Sequence, residues 1–296
     1  MVGAKTSAHP DFHPHDLYHC LWRAALAAGS QIALTAVPLG SLRAPVAFTR
    51  VDSVASVSTL DCMSGTGFKH YLPGFDQALE NLKEDVTLMA NLVSRNLANA
   101  RAGFAERDDD FCAAVIADDD EVDLLEKEVD RLGTDILMRF QPMITDLRTV
   151  LATIKIGSIL ERTSNQTVVI ARRARKLCDE FIPAEEHESL LAHFDAVSRV
   201  FSEALSAFHL VDSLLAGHVL GQSQVLTEAG EAFVDQFTEH LEERPMGSRA
   251  YVNLMAVAQA LAEITELCGN IASEAVYIAE ARDIRHPKNP LAETEE

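Results

Sequence analysis

The sequence predicts an all-α protein of two tandem three-helix bundles related by internal duplication, six long helices preceded by a poorly structured N-terminal extension. Three observations predict it. Two stretches of about 35 residues, 143–177 and 251–285, contain no proline. Apolar residues recur at spacings of three and four through most of residues 75–285. Aromatic residues make up only 6% of the 296 residues, while 48% hydrophobic residues suffice for a core.

The two long stretches resemble each other. The first, residues 143–177, can form one unbroken helix of roughly 50 Å. When the second is laid over it, Leu160-Glu161 aligns with Leu261-Ala262, and Ile170-Ala171 aligns with Ile271-Ala272. The repeat indicates a duplication in which each half ends in a long helix. The apolar seam predicted for the second stretch consists of Leu254, Val257, Leu261, Ile264, Cys268, Ile271, Ala275 and Ile278.

Four further helices fill the two halves. Helix one is predicted from Phe75 to Arg107, and helix two from about residue 108, where three aspartates can cap it, to Phe140. Helix four is predicted over about 185–215 with a break at Gly217, and helix five, with Val225 on its inner side, ends before Pro245. The predicted divisions are an N-terminal extension without fixed structure (1–66), a first bundle (67–182), a second bundle (183–288) and a flexible tail (289–296).

The charge is concentrated in the helical part. Residues 1–62 contain four basic and four acidic residues, so the remainder carries the whole formal charge of −20. So acidic a surface repels phosphate backbones and anionic lipids, which argues against nucleic-acid binding. Five cysteines without a CxxC pair indicate reduced thiols of a cytoplasmic protein, and the apolar run 24–39 is too short and interrupted to span a membrane.

Several short motifs stand in one order along the chain. They are the segment 118–130, Pro142 followed by Asp146-Leu147-Arg148, the hexapeptide LERTSN at 160–165, and Asn270-Ile271-Ala272 with Tyr277 and Asp283-Ile284-Arg285-His286. In this order and spacing they resemble the PhoU family, cytoplasmic regulators of bacterial phosphate uptake and phosphate signalling built from two three-helix bundles. The resemblance covers roughly residues 68–286.

The resemblance implies a function by binding. A PhoU-like protein would link the ATPase subunit of a phosphate ABC transporter to a phosphate-sensing histidine kinase, and would restrain both when phosphate is plentiful. We expect a homodimer and no enzyme, since no GxxxxGKS/T, GxSxG, HExxH or Glu-x-x-His motif is present. Two alternatives stay open, a metal-binding helical bundle and an accessory protein of another phosphate permease.

Paired carboxylates could carry metal. In the family, carboxylates four residues apart form multinuclear metal clusters, and such pairs occur here at Asp119 with Asp123 and at Glu231 with Asp235. The long helices depart from the pattern. The candidate metal-binding residues are Asp119, Asp123, Glu161, Asn165, Glu231, Asp235 and Glu266, and Asn165 and Ala262 stand where the family has acids. We expect weak binding of divalent or trivalent ions, or none, in which case these are solvated acidic faces.

One basic cluster interrupts the acidic sequence. It consists of Arg172, Arg173, Arg175 and Lys176, at the end of the first long stretch. Cations there are favoured by the helix dipole, which is one sufficient explanation. A contact patch for an acidic partner is the other.

Overall fold

Amphipathic sequence and local capping produce six helices in the part of the chain that the computed structural model describes, residues 73–243 and 248–284. No strand occurs within those ranges. The helices are α1 (Phe75–Glu106), α2 (Asp109–Phe140), α3 (Thr145–Leu177), α4 (Ala184–Leu210), α5 (Ser213–Glu243) and α6 (Ser248–Glu280). The predicted all-α class is confirmed.

The three-plus-three arrangement follows from which helices touch. Helices α1, α2 and α3 pack against one another, and so do α4, α5 and α6. We call these sets the first half and the second half. They meet where α3 packs along α6 and, less extensively, α1 packs along α4. The boundary predicted at residues 182–183 stays a prediction, while the predictions on 1–66, Arg285, His286 and 289–296 lie outside the described residues.

Helices α3 and α6 run antiparallel. Lys155 contacts Glu274, Arg162 contacts Glu263, and Arg173 contacts Asn253, so rising numbers on α3 meet falling numbers on α6. The carboxyl end of α3 therefore lies beside the start of α6.

The connection between α4 and α5 differs from the prediction. The predicted break at Gly217 is wrong, because α4 ends at Leu210 and α5 continues through Gly217. The Asp212 carboxylate starts α5 by accepting hydrogen bonds from the backbone N–H groups of Leu214 at 2.9 Å and Leu215 at 3.0 Å. At the start of α2, where a cap was predicted, Asp108 accepts from the N–H of Asp110 at 2.8 Å.

The predicted seam of α6 is buried throughout: Leu254, Val257, Leu261, Ile264, Cys268, Ile271, Ala275 and Ile278 are each at most 5% exposed. Val225 on α5 is the exception among the predicted inner residues, since it is 64% exposed. Close approach of α2 to α3 depends on Gly133, where an added Cβ would overlap the Ile154 side chain.

Within residues 73–243 and 248–284, no helix combines the length and the apolarity that crossing a membrane requires.

Candidate functional site

The first acidic surface lies where α2 packs beside α3. The Ser164 hydroxyl of α3 donates a hydrogen bond to Asp119 Oδ1 of α2 at 3.2 Å. The next residue of α3, Asn165, donates from its side-chain amide to Glu161 Oε1, one turn earlier on the same helix, at 2.6 Å. The predicted residues of the first half therefore lie on adjoining helices. However, the side-chain amide of Asn165 turns its N–H group towards Glu161, whereas a metal ion would bind the amide oxygen.

Carboxylates along this surface interact electrostatically. Burial raises the pKa of Asp119, the Ser164 hydrogen bond opposes that rise, and the charge of Asp123 adds to it. Burial also raises the pKa of Glu126. The negative charge of Asp130 raises that pKa further, and neighbouring acids make smaller contributions in the same direction. The surface is thus a strip of mutually repelling acids.

Glu126 was missed by the sequence analysis. The Ser158 hydroxyl of α3 donates to its Oε1 at 3.3 Å, and Glu161 is close enough to raise its pKa. The available signal was spacing, since Asp119, Asp123 and Glu126 follow the three-and-four pattern of a single helix face.

The second acidic surface is a cleft of about 520 Å³ between α5 and α6, which we call the acidic cleft. It brings together the predicted Glu231, Asp235 and Glu266. Two further charged residues were not predicted: Glu263 of α6, and Arg162, which reaches across from α3. Arg162 Nη2 lies 3.3 Å from Glu263 Oε1.

Small residues at the base of the acidic cleft allow α5 and α6 to approach. A Cβ added at Gly230 would lie 2.8 Å from the Cβ of Ala262, so the two helices are nearly in backbone contact there. Ala262 occupies the position where the resemblance expects a carboxylate, and its methyl group supplies no ligand. Behind Gly230 lies His193, which is 6% exposed.

The donor set decides how well metal fits these surfaces. A hard cation such as Ca²⁺ takes six to eight oxygen ligands. Across residues 73–243 and 248–284, no group of three or more histidine, cysteine, aspartate or glutamate side chains has the geometry to hold a metal ion. Neither surface therefore presents a preformed multinuclear site, although single carboxylate pairs remain.

The structure divides the predicted basic cluster. Arg172 lies near Asp119, whose pKa its charge lowers. Arg175 forms a bidentate ion pair with Asp109 at the start of α2. Arg173, Arg175 and Lys176 line a cleft of about 710 Å³, which we call the basic cleft.

The second half completes the basic cleft. Its lining includes Ser248 and Arg249 at the start of α6, together with Asp179 and Glu180 after α3. Two of its arginines make only long contacts: Arg173 Nη1 lies 3.5 Å from Asn253 Oδ1, and Arg249 Nε lies 3.9 Å from Glu180 Oε1. Arg249 was not predicted, because it is distant in sequence and no local pattern connects it to α3.

The chain is similar to proteins of one family. A family model described as the PhoU domain matches residues 86–174. The phosphate-specific transport system accessory protein PhoU of Serratia marcescens is 28% identical over 222 residues, which cover 74% of this chain and 89% of that protein. The protein of the same name from Escherichia coli K12 is 25% identical over 222 residues, covering 74% and 90%.

A solved structure shares the fold. The crystal structure of PhoU from Pseudomonas aeruginosa superposes with a TM-score of 0.68 at 24% sequence identity, and the match covers 70% of this chain and 100% of that one. The six-helix arrangement of the two halves is thus found in a protein of known structure.

Proposed function

The chain belongs to the PhoU family, and we propose that it is an accessory protein of phosphate transport that restrains uptake and phosphate-starvation signalling. The observation that carries the proposal is the extent of the match. The alignment with the Serratia marcescens protein spans 89% of that protein, beyond the single matched domain, so both halves contribute. The name of that relative places it with a phosphate-specific transport system.

The proposed mechanism is binding without catalysis. We propose two partners, the ATPase subunit of a phosphate ABC transporter and a phosphate-sensing histidine kinase. The basic cleft supports a specific contact, because Arg173, Lys176 and Arg249 are concentrated in a chain of formal charge −20. An acidic segment of a partner would be attracted there and repelled elsewhere.

Location and assembly belong to the same proposal. Both partners would be met at the cytoplasmic face of the membrane, so we propose a cytoplasmic protein, and we propose a homodimer as its assembly. The thiols of Cys112 and Cys268 are free and buried, which fits a reducing compartment.

Weak metal binding is a second proposed property. It is supported by the electrostatic effect of Asp123 on Asp119 in the first acidic surface, since a divalent ion would relieve the repulsion between the two carboxylates. Asp119 and Asp123 would supply the oxygen ligands. Neither partner binding nor the fold requires that ion.

The test is direct binding to the purified ATPase subunit of the phosphate transporter from the same genome. We expect a saturable complex that the double variant Arg173→Gln/Arg249→Gln weakens at least tenfold. The matched control is Arg131→Gln, which removes a cation from an exposed pair with Glu128 on α2. Absence of a complex with both the ATPase subunit and the kinase would contradict the proposal, and binding to a single-component permease would favour the other-permease alternative.

A further inference from the structure

Arg162 and Glu263 hold equivalent positions in the two halves. The internal repeat that aligns Leu160 with Leu261 also aligns Arg162 with Glu263. Because α3 and α6 are antiparallel, these equivalent residues meet each other across the junction, with Nη2 and Oε1 3.3 Å apart. Like charges at both positions would repel, whereas this chain has opposite charges and an ion pair.

The ion pair brings a cation into a surface that otherwise carries acids. Glu231, Asp235, Glu263 and Glu266 line the acidic cleft, and Arg162 is the one basic residue among the described residues that line it. A guanidinium has five N–H donors and stays protonated at every pH that a folded protein tolerates. Its charge in the cleft is therefore permanent.

The same cleft lacks what a metal ion would need in order to displace that guanidinium. Ala262 supplies no oxygen, and Gly230 beneath it supplies no side chain. A divalent ion among Glu231, Asp235 and Glu266 would have to overcome repulsion from Arg162 as well as the loss of its own hydration shell. The residues present do not fit a bound metal while Arg162 is there.

We propose that Arg162 is the resident cation of the acidic cleft, taking the place of a divalent metal and joining α3 to α6. The arginine offsets the repulsion among the carboxylates with a charge that belongs to the first half. Chelators and metal supply therefore leave the second half unaffected. Removing the guanidinium leaves the carboxylate pair Glu231 and Asp235 open to a hard divalent ion.

Mn²⁺ binding to the purified full chain tests this, with free Mn²⁺ counted by its electron paramagnetic resonance signal. Arg162→Gln is expected to bind one more Mn²⁺ per chain than the wild type, at least tenfold more tightly than any second-half site of the wild type. The additional ion is lost when Glu231→Gln is combined with Arg162→Gln. Arg131→Gln removes an equal charge from the remote α2 pair and is expected to bind Mn²⁺ as the wild type does.

Two results would overturn the proposal. One is an Arg162→Gln variant with preserved helical circular dichroism and no additional Mn²⁺. The other needs no change at Arg162: if Glu231→Gln alone removes Mn²⁺ from the wild type, a metal already occupies the cleft beside the arginine. Neither measurement involves a transport partner, so this inference fails or stands separately from the proposed function.

Discussion

Lys155 of α3 and Glu274 of α6 form an ion pair across the junction of the two halves, with Nζ 3.1 Å from Oε1. The Glu274 side chain is only 3% exposed, whereas that of Lys155 is 38% exposed and passes 5.2 Å from the centre of the Tyr277 ring. A carboxylate this deep has lost most of its hydration, so its partner decides whether its burial is tolerated.

Replacing Lys155 by Met is therefore expected to destabilise the protein. Removing one member of a buried pair leaves the other charge poorly compensated, and we expect a loss of about 2–3 kcal/mol in the free energy of unfolding, measured with urea. Lys127→Met, at an exposed position on α2, is the control and should change stability by less than about 0.5 kcal/mol. Adding Glu274→Gln to Lys155→Met should recover part of the lost stability. If Lys155→Met and Lys127→Met lower the free energy of unfolding equally, Lys155 does not compensate the buried charge of Glu274.

Two glycine-to-alanine changes should act in opposite directions. At Gly133 the new methyl group would overlap Ile154, so Gly133→Ala should destabilise by about 1–3 kcal/mol despite the better helix propensity of alanine. At Gly217 nothing lies within 4 Å, so Gly217→Ala should stabilise by about 0.5–1 kcal/mol. Thermal unfolding of both variants compares them directly. A stabilising Gly133→Ala would mean that α2 and α3 are less closely packed than the structure shows.

Burial of His193 is expected to make the stability of the fold depend on pH. Burial lowers its pKa from 6.5, and its Nε2 has no hydrogen-bond partner in the described part of the chain. Because the unfolded chain binds this proton more readily than the folded one, the contribution is fully present above about pH 6.5 and is lost as pH falls. When the pH is lowered from 7.5 to 5.5, we expect the free energy of unfolding to fall by about 1 kcal/mol less in His193→Leu than in the wild type. Parallel pH curves would exclude His193 as the cause.

Asn165→Asp should convert a hydrogen bond into a repulsive pair. The amide now donates to Glu161 Oε1 at 2.6 Å, and a carboxylate four residues away would repel Glu161 by about 0.5 kcal/mol at a solvated surface. We expect a lower melting temperature without metal and a larger rise on adding Mn²⁺ than the wild type shows. Chelator should leave the helical content and melting temperature of the wild type nearly unchanged. Collapse of the wild type on chelation would show that its present ligands hold an essential metal.

Periodicity was sufficient to predict the helices and the interior faces. The α6 seam from Leu254 to Ile278 is buried as predicted, because an apolar stripe on a long helix has few ways to leave water other than packing against another helix. The turn at the end of α4 was missed because it is formed by Val211, a β-branched residue at φ 52°, which no glycine or proline marks. Asp212 was the overlooked signal, since aspartate is a preferred helix cap.

The charged contacts between halves were beyond sequence reasoning. Spacing shows which carboxylates share one helix face, as with Asp119 and Asp123, but it does not show what an opposing helix contributes. Arg162 and Arg249 enter the acidic and basic clefts from helices distant in sequence. Only the antiparallel register of α3 and α6 brings them there.

Complementation tests the proposal that this chain restrains the phosphate-starvation response. The chain would be expressed in an Escherichia coli K12 strain that lacks its own PhoU, the relative that is 25% identical over 222 residues. A reporter of phosphate starvation would be read at high phosphate. We expect the reporter to return to its repressed level with the wild-type chain and to stay high with Arg173→Gln/Arg249→Gln at equal protein abundance. A reporter that stays fully active although the folded wild-type chain accumulates, both there and in a strain of the source organism from which the chain's own gene has been deleted and then restored, would contradict the proposed function.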